Sequence, residues 1–339
     1  MVDVNLIKDL ACLDGVSGDE GRVREFIINR LDCNKWEYRI DPMGNLIVEK
    51  REKNSSGKKL MVSAHMDEVG FIITYIEESG LLRFDAVGGI DPRVVIGKNV
   101  RIGEIKGVIG TKAVHMQTEE EREKALKLDS LFIDIGARNK KEAEELVALG
   151  DRASFDSDFF EFGDGFICAK ALDDRIGCYI MLELMKEDFD EDVAFVFTTN
   201  EEAGVQGAET ASYSVNPDVA IVLEATTAAD IPETPPNKRV CCLKKGGVLS
   251  FMDRATIYNS ELYKKALEIA KENNIPCQSK QGVFGGNEAR SVQSARDGVK
   301  VLALSLPCRY IHSSACVLAS EDVESSKNLA RKLIQELGK

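Results

Sequence analysis

The sequence has 339 residues, 44% hydrophobic and 30% charged, which suits a soluble globular protein with room for one large domain or a large domain carrying a smaller insert. A net charge of −13 disfavours nucleic acid and anionic membrane surfaces as partners, and no apolar run approaches the ~20 residues of a membrane span. The first ten residues carry acids where an export signal is basic and then apolar, which predicts a cytoplasmic protein, and the nine scattered cysteines read as free thiols.

Apolar residues at helical spacing predict a helix over 5–13 and a second over 19–31, through Val23, Phe26, Ile27 and Leu31. Between them lies a Gly-Val-Ser-Gly turn, where Ser17 or Asp19 is placed to cap the second helix. Strands are predicted at 37–40 and 46–50 around a turn at 41–45, followed by a polar loop at 54–59. The apolar run 60–64 then reads as a buried strand ending at His65.

From about residue 68 the texture changes. Short β-type runs at 71–76, 81–86, 100–102 and 108–109 are separated by glycines, Asp-Pro and charged turns. Residues 117–129 are dense in Glu, Arg and Lys and read as a solvated loop, and 139–149 as a helix. This section predicts a small β-rich domain, 67–164, inserted into a discontinuous larger one, 1–66 with 165–339. After Gly165 helices at 173–185, 261–273 and 320–337 alternate with strands at 193–198, 219–223 and 301–306. That is the pattern of an α/β sheet covered on both faces.

Only three histidines occur in the chain, and two follow predicted strands: His65 after 60–64 and His312 just past 301–306. Glu201-Glu202 follow 193–198, Glu224 follows 219–223, and Asp173-Asp174 open a helix. In open α/β sheets ligands collect at the carboxyl ends of strands. Each residue alone has an ordinary explanation: a structural histidine, a helix-capping aspartate, a solvated glutamate pair. Together they supply imidazoles and carboxylates enough for two divalent metals sharing one bridge, with a position left open for water. Zinc, cobalt and manganese all accept such a set. His115 has no such setting and reads as a surface or domain-contact residue. Lys244, Lys245 and Arg254 could make a pocket for acidic side chains, against the plainer reading of solvated loop cations.

On several stretches the chain resembles the co-catalytic di-metal aminopeptidase family that includes glutamyl aminopeptidase and the deblocking aminopeptidases, some of whose members are labelled endoglucanase or cellulase. The stretches are 64–70, the Gly-Gly-Ile-Asp-Pro turn at 88–92, 131–136, 170–177, 201–208, Gly285-Gly286 and 309–313. The resemblance implies a mixed-sheet metallopeptidase domain interrupted by a small dimerisation domain, with dimers assembled into a tetrahedral dodecamer around an interior chamber. It further implies short peptide substrates and two metal ions per subunit. Asp173 would bridge them, His65 with Glu224 would complete one site, and Glu202 with His312 the other. Glu201 would be the general base, and Asp67 would hydrogen-bond the second nitrogen of His65 to fix its tautomer.

The chain departs from the family pattern at three places. Glu224 stands where aspartate is usual, Asn287-Glu288-Ala289-Arg290 replaces Thr-Asp-Ala-Gly, and Ser314-Ala315-Cys316 follows His312-Ser313 where proline is common. Glutamate at the first place is shared with related di-metal carboxypeptidases, so a carboxypeptidase or deacylase on the same ligands is an alternative. A non-catalytic assembly that kept the fold is another. A metal-free glycosidase would leave both strand-end histidines unexplained.

Overall fold

The computed structural model describes residues 2–51, 57–123 and 126–339. Part of the polar loop expected at 54–59, and residues 124 and 125 of the charged stretch, lie outside them. The centre of the molecule is an eight-stranded mixed sheet in the order Trp36–Ile40, Leu46–Lys50, Val193–Thr198, Leu60–His65, Val219–Thr227, Lys300–Cys308, Gly247–Leu249, Cys277–Ser279. Four central neighbours, from Val193–Thr198 to Lys300–Cys308, run parallel, so their carboxyl ends open on one side.

These strands read as unbroken apolar runs because both faces of the sheet are covered. Leu60, Val62, Phe195, Ile221 and Leu304 pack with the helices Val4–Cys12, Gly21–Ile28, Leu172–Leu184, Ser260–Glu272 and Ser320–Leu337. Their alternating neighbours Met61, Val196, Val222 and Ala303 face the helices Gln206–Val215 and Ala289–Gln293. Asp3 and Asn259 cap two of these helices by accepting hydrogen bonds from their first-turn amides.

Gly70–Ile76, Leu82–Val87, Asn99–Ile102, Ile105–Thr111, Leu131–Asp134 and Arg152–Phe155 close into an antiparallel barrel. Its interior is a separate apolar cluster that includes Phe71, Phe84, Val100, Ile133 and Phe155. A three-stranded sheet of Phe160–Phe162, Phe166–Ala169 and Cys316–Ala319 follows it.

Several expectations are corrected. The helix expected at 139–149 is only Lys140–Glu144: the Leu146 amide bonds Ala143 O in a tighter turn, and the Ala148 amide turns to the Asp151 carboxylate. The strand expected to stop at residue 223 runs on to Thr227, paired with Lys300–Cys308 throughout, so Glu224 lies inside it. Asp173 and Asp174 have non-helical backbone angles and are joined by a cis peptide bond, so regular helix starts at Arg175. Neither Ser17 nor Asp19 caps the second helix; Glu20 holds that position, and Ser17 Oγ donates to Asp67 instead. His115 sits exposed in the short turn Val114–Met116.

Candidate metal centre

His65, the last residue of its strand, is 1% exposed, and its Nδ1 lies 3.0 Å from the backbone oxygen of Asp67. His312 stands in the loop after Lys300–Cys308, with Nδ1 2.8 Å from the carbonyl oxygen of Gly89. A carbonyl oxygen only accepts, so each Nδ1 carries the proton and each Nε2 presents a lone pair.

Both lone pairs face carboxylates. Nε2 of His65 is 3.4 Å from Asp173 Oδ1 and 3.5 Å from Glu224 Oε1. Nε2 of His312 is 3.4 Å from Asp173 Oδ2 and 3.3 Å from Glu202 Oε1. The two oxygens of Asp173 therefore serve one triad each, and within each triad the donor atoms lie inside 4.8 Å of one another. Asp173 Oδ1 and Glu202 Oε1 are buried without a hydrogen-bond partner. Acceptors facing acceptors in a buried site repel unless a cation sits among them. The donor set, neutral imidazole nitrogen with carboxylate oxygen, fits a divalent metal in each triad.

The electrostatics agree. Burial pushes the Glu224 carboxyl up to about 8 and Glu202 up to about 7, with the Asp173 charge adding to both. Burial also raises Glu201 well above the usual carboxylate range, helped by Glu224 and Glu202. Burial works against protonated His312, yet Asp173 and Glu202 raise it to about 10. His65 is raised in the same way, burial opposing and Asp173, Asp67 and Glu224 prevailing. Burial opposes ionised Asp173 too, but His312 and His65 hold it below the usual range. Buried carboxylates this close together favour positive charge among them, whether carried by protons or by cations.

Asp67 is fully buried and ties the pieces together. Its carboxylate accepts from the amides of Glu201 and Glu202 at 3.0 and 3.1 Å and from Ser17 Oγ at 2.6 Å. The expected contact with His65 is made by the Asp67 carbonyl, while the carboxylate Oδ1 stands further off, at 3.4 Å. The Glu201-Glu202 turn is also held from below. Asn45, at 0% exposure, accepts from the Thr199 amide at 2.9 Å and donates to Gly207 O at 2.9 Å. The barrel reaches the site through the loop after Leu82–Val87. Gly88 has φ +85°, and a side chain there would meet Val69 at 2.7 Å and Glu202 at 3.3 Å, so only glycine fits.

Asp173, Glu201, Glu202, Glu224 and His312 line a cavity of about 400 Å³. Its other walls include Thr226, Val240, Phe284, Asn287 and Arg290. Of the substituted segment 287–290, Asn287 and Arg290 face the cavity. Glu288 is buried, with Oε2 accepting from Thr198 Oγ1 at 2.5 Å. Lys244, Lys245 and Arg254 form no pocket here, in keeping with the plainer reading of them as loop cations. Lys244 pairs with Asp164 and Glu321 at 2.9 and 3.1 Å, Lys245 and Arg254 are exposed, and none of the three lines the cavity. Besides Arg290, the cation on its wall is Lys280, which follows the Cys277–Ser279 strand. The strand-end rule that located the other residues would have found it, had Cys-Gln-Ser read as a strand.

A family model described as M42 glutamyl aminopeptidase matches residues 44–329. A putative aminopeptidase of Acetivibrio thermocellus is 39% identical over 327 residues, 96% of each chain. The lysyl aminopeptidase of Pyrococcus furiosus is 32% identical over 347 residues, 99% of this chain and 98% of that one. Among solved structures, the TET1 peptidase of Pyrococcus horikoshii, which can assemble into a tetrahedron or a large octahedral shell, matches with a TM-score of 0.88. Its sequence identity is 35%, over 98% of this chain and 99% of that one.

Proposed function

The chain belongs to the M42 glutamyl aminopeptidase family and is a metal-dependent aminopeptidase; from that premise we propose how its residues share the reaction. His65 and Glu224 would hold one divalent cation and Glu202 and His312 the other, with Asp173, which belongs to both triads, shared between them. The observation that carries this assignment is the pair of 3.4 Å approaches of Asp173 to the two Nε2 atoms. When bound, the cations supply Lewis-acid polarisation of the scissile carbonyl and a lowered water pKa.

Glu201 lines the cavity without belonging to either triad. Its carboxylate takes the proton of the attacking water and returns it to the leaving amine, a task suited to a carboxyl that burial raises well above the usual range. Asp67 fixes the Glu201-Glu202 turn against His65, and its carbonyl sets the histidine tautomer.

The same reading takes zinc or cobalt, with manganese accepted, and short peptides as substrates. It divides the chain into a catalytic part, 1–66 with 165–339, and an inserted part, 67–164, supported by the separate apolar cluster inside the barrel. The inserted part makes dimer contacts, and the dimers build a tetrahedral dodecamer like one assembly of the Pyrococcus horikoshii relative. Free thiols at all nine cysteines fit a cytoplasmic location, and no helix of the described residues is long and apolar enough to cross a membrane.

The test is hydrolysis of a free-amine peptide beside its N-acetylated form by the zinc- or cobalt-loaded protein. Cleavage confined to the free amine supports the aminopeptidase assignment of this site. Preference for the acetylated form would point to a carboxypeptidase or deacylase, as glutamate at 224 would allow. Glu201→Gln should keep both metals and lower kcat by about a thousandfold or more, because an amide cannot take the proton. Near-normal turnover would remove Glu201 as the base.

A further inference from the structure

Lys280 is the one buried charged group lining the cavity that the assignment above leaves unused. Its backbone amide donates to Leu249 O at 2.9 Å, so the sheet edge fixes where the side chain starts. The residue is 6% exposed and lines the same cavity as Asp173, Glu201 and Glu224. Among the described residues its ammonium makes neither a hydrogen bond nor an ion pair; burial lowers its pKa, and Asp253 and Glu224 oppose that only through their charge. Both are committed elsewhere. Asp253 accepts from Tyr258 Oη at 2.6 Å and from the amides of Ala255 and Thr256 at 2.7 Å each. Glu224 faces His65.

A buried ammonium without a partner is unfavourable, and one whose tip opens on a cavity is suited to an anion entering there. Arg290, exposed on the same cavity, adds a second positive charge on the approach. The neighbouring walls, Val240, Thr226 and Phe284, offer no competing carboxylate.

We propose that Lys280 is a specificity-determining residue that pairs with a carboxylate of the peptide substrate. The proposal rests on the aminopeptidase reading of the site. A peptide presents such a carboxylate in two ways, as the side chain of an acidic first residue or as the chain end of a dipeptide. Neither source follows from membership of the family, which includes a relative named for lysine.

The experiment compares kcat/KM of the metal-loaded full chain on the p-nitroanilides of glutamate, glutamine and lysine, and on Ala-Ala beside Ala-Ala-amide. If the side chain is the source, glutamate exceeds glutamine by about tenfold or more, and Lys280→Met abolishes that ratio while leaving the glutamine rate within about threefold. If the chain end is the source, the same loss of ratio separates Ala-Ala from its amide. In the first case Lys280→Glu shifts the preference towards lysine. Wild-type protein that favours neither glutamate nor the free dipeptide overturns the proposal, as does a Lys280→Met variant that slows every substrate equally. Protein that cleaves none of these compounds would fail as an aminopeptidase, and titration with L-glutamate and L-glutamine would then decide the role of Lys280. Glutamate binding about tenfold tighter in wild type only would support it, and equal binding of the two would overturn it.

Discussion

His65 and His312 each commit Nδ1 to a backbone oxygen, and that leaves a rigid Nε2 aimed at Asp173, a lone pair once its proton is lost. The residue types and their strand-end positions were legible in the sequence. The commitments were not, because Gly89 is more than two hundred residues from His312. The pH behaviour of metal binding follows from the protons that metals must displace. Glu202 at about 7, Glu224 at about 8 and His312 at about 10 are all raised, so below pH 7 each is largely protonated and each must lose a proton to become a ligand. Affinity for Zn²⁺ is therefore expected to rise with pH between 6 and 9, by about tenfold per pH unit for each proton released. Calorimetry in two buffers of different ionisation heat reads the proton count directly, and a pH-independent affinity would contradict it. Glu224 gives a second test at this scale. Its Oε1 faces only the His65 triad, so Glu224→Ala should lose one metal and most activity, whereas Glu224→Asp should bind that metal more weakly and keep some turnover. Two undiminished binding events in Glu224→Ala would remove it from the site.

Elements with a clean period were found close to their true bounds. Val193–Thr198 and Ser320–Leu337 coincide with the expected ranges: the strand is an unbroken apolar run up to Thr198, and the helix repeats buried Val323, Leu329, Ala330, Leu333, Ile334 and Leu337 at helical spacing. Those defined by tertiary pairing were missed or misjudged. Gln206–Val215 mixes Gly207, Thr210 and two serines into its ten residues and shows no strong stripe, while Gly247–Leu249 and Cys277–Ser279 are strands only because the sheet extends to them. Asn45 shows how such elements bear on the chemistry. It joins the turn after Trp36–Ile40 to the segment that delivers Glu201 and Glu202, through Thr199 N and Gly207 O. Asn45→Ala leaves the buried Thr199 amide without its acceptor, while Gly207 O keeps Thr210 Oγ1 as a donor, and the loss is expected to destabilise the protein by about 1–3 kcal/mol. Thermal melting measures that loss, and metal titration should show weaker binding at the Glu202 and His312 site. A variant with unaltered melting and unaltered titration would show that the turn is held by Asp67 alone.

At the scale of the whole molecule, the change of texture after residue 68 marked a run of short strands between glycine and charged turns, but nothing in it announced that they close into a barrel. How the barrel meets the rest was hidden, because the junction is polar and dispersed along the chain. Asp14 accepts from Ser154 Oγ of the barrel at 2.6 Å and from Lys170 at 3.3 Å, with Arg101 at 3.3 Å, and Gly89 supports His312. The barrel thus has two separable tasks, one in the proposed assembly and one in the site. Replacing residues 70–155 by a short linker removes both. The expected outcome is a smaller particle in light scattering, because the proposed dimer contacts are gone. It should also bind one metal normally and the other weakly, because the Gly89 oxygen that orients His312 is absent while His65 keeps its Asp67 carbonyl. Full-length protein that runs as a monomer at micromolar concentration would count against the assembly. Equal loss of both metals would show instead that the barrel supports the entire site, through Asp14, Lys170 and the Glu68 carboxylate that Lys170 contacts at 2.6 Å.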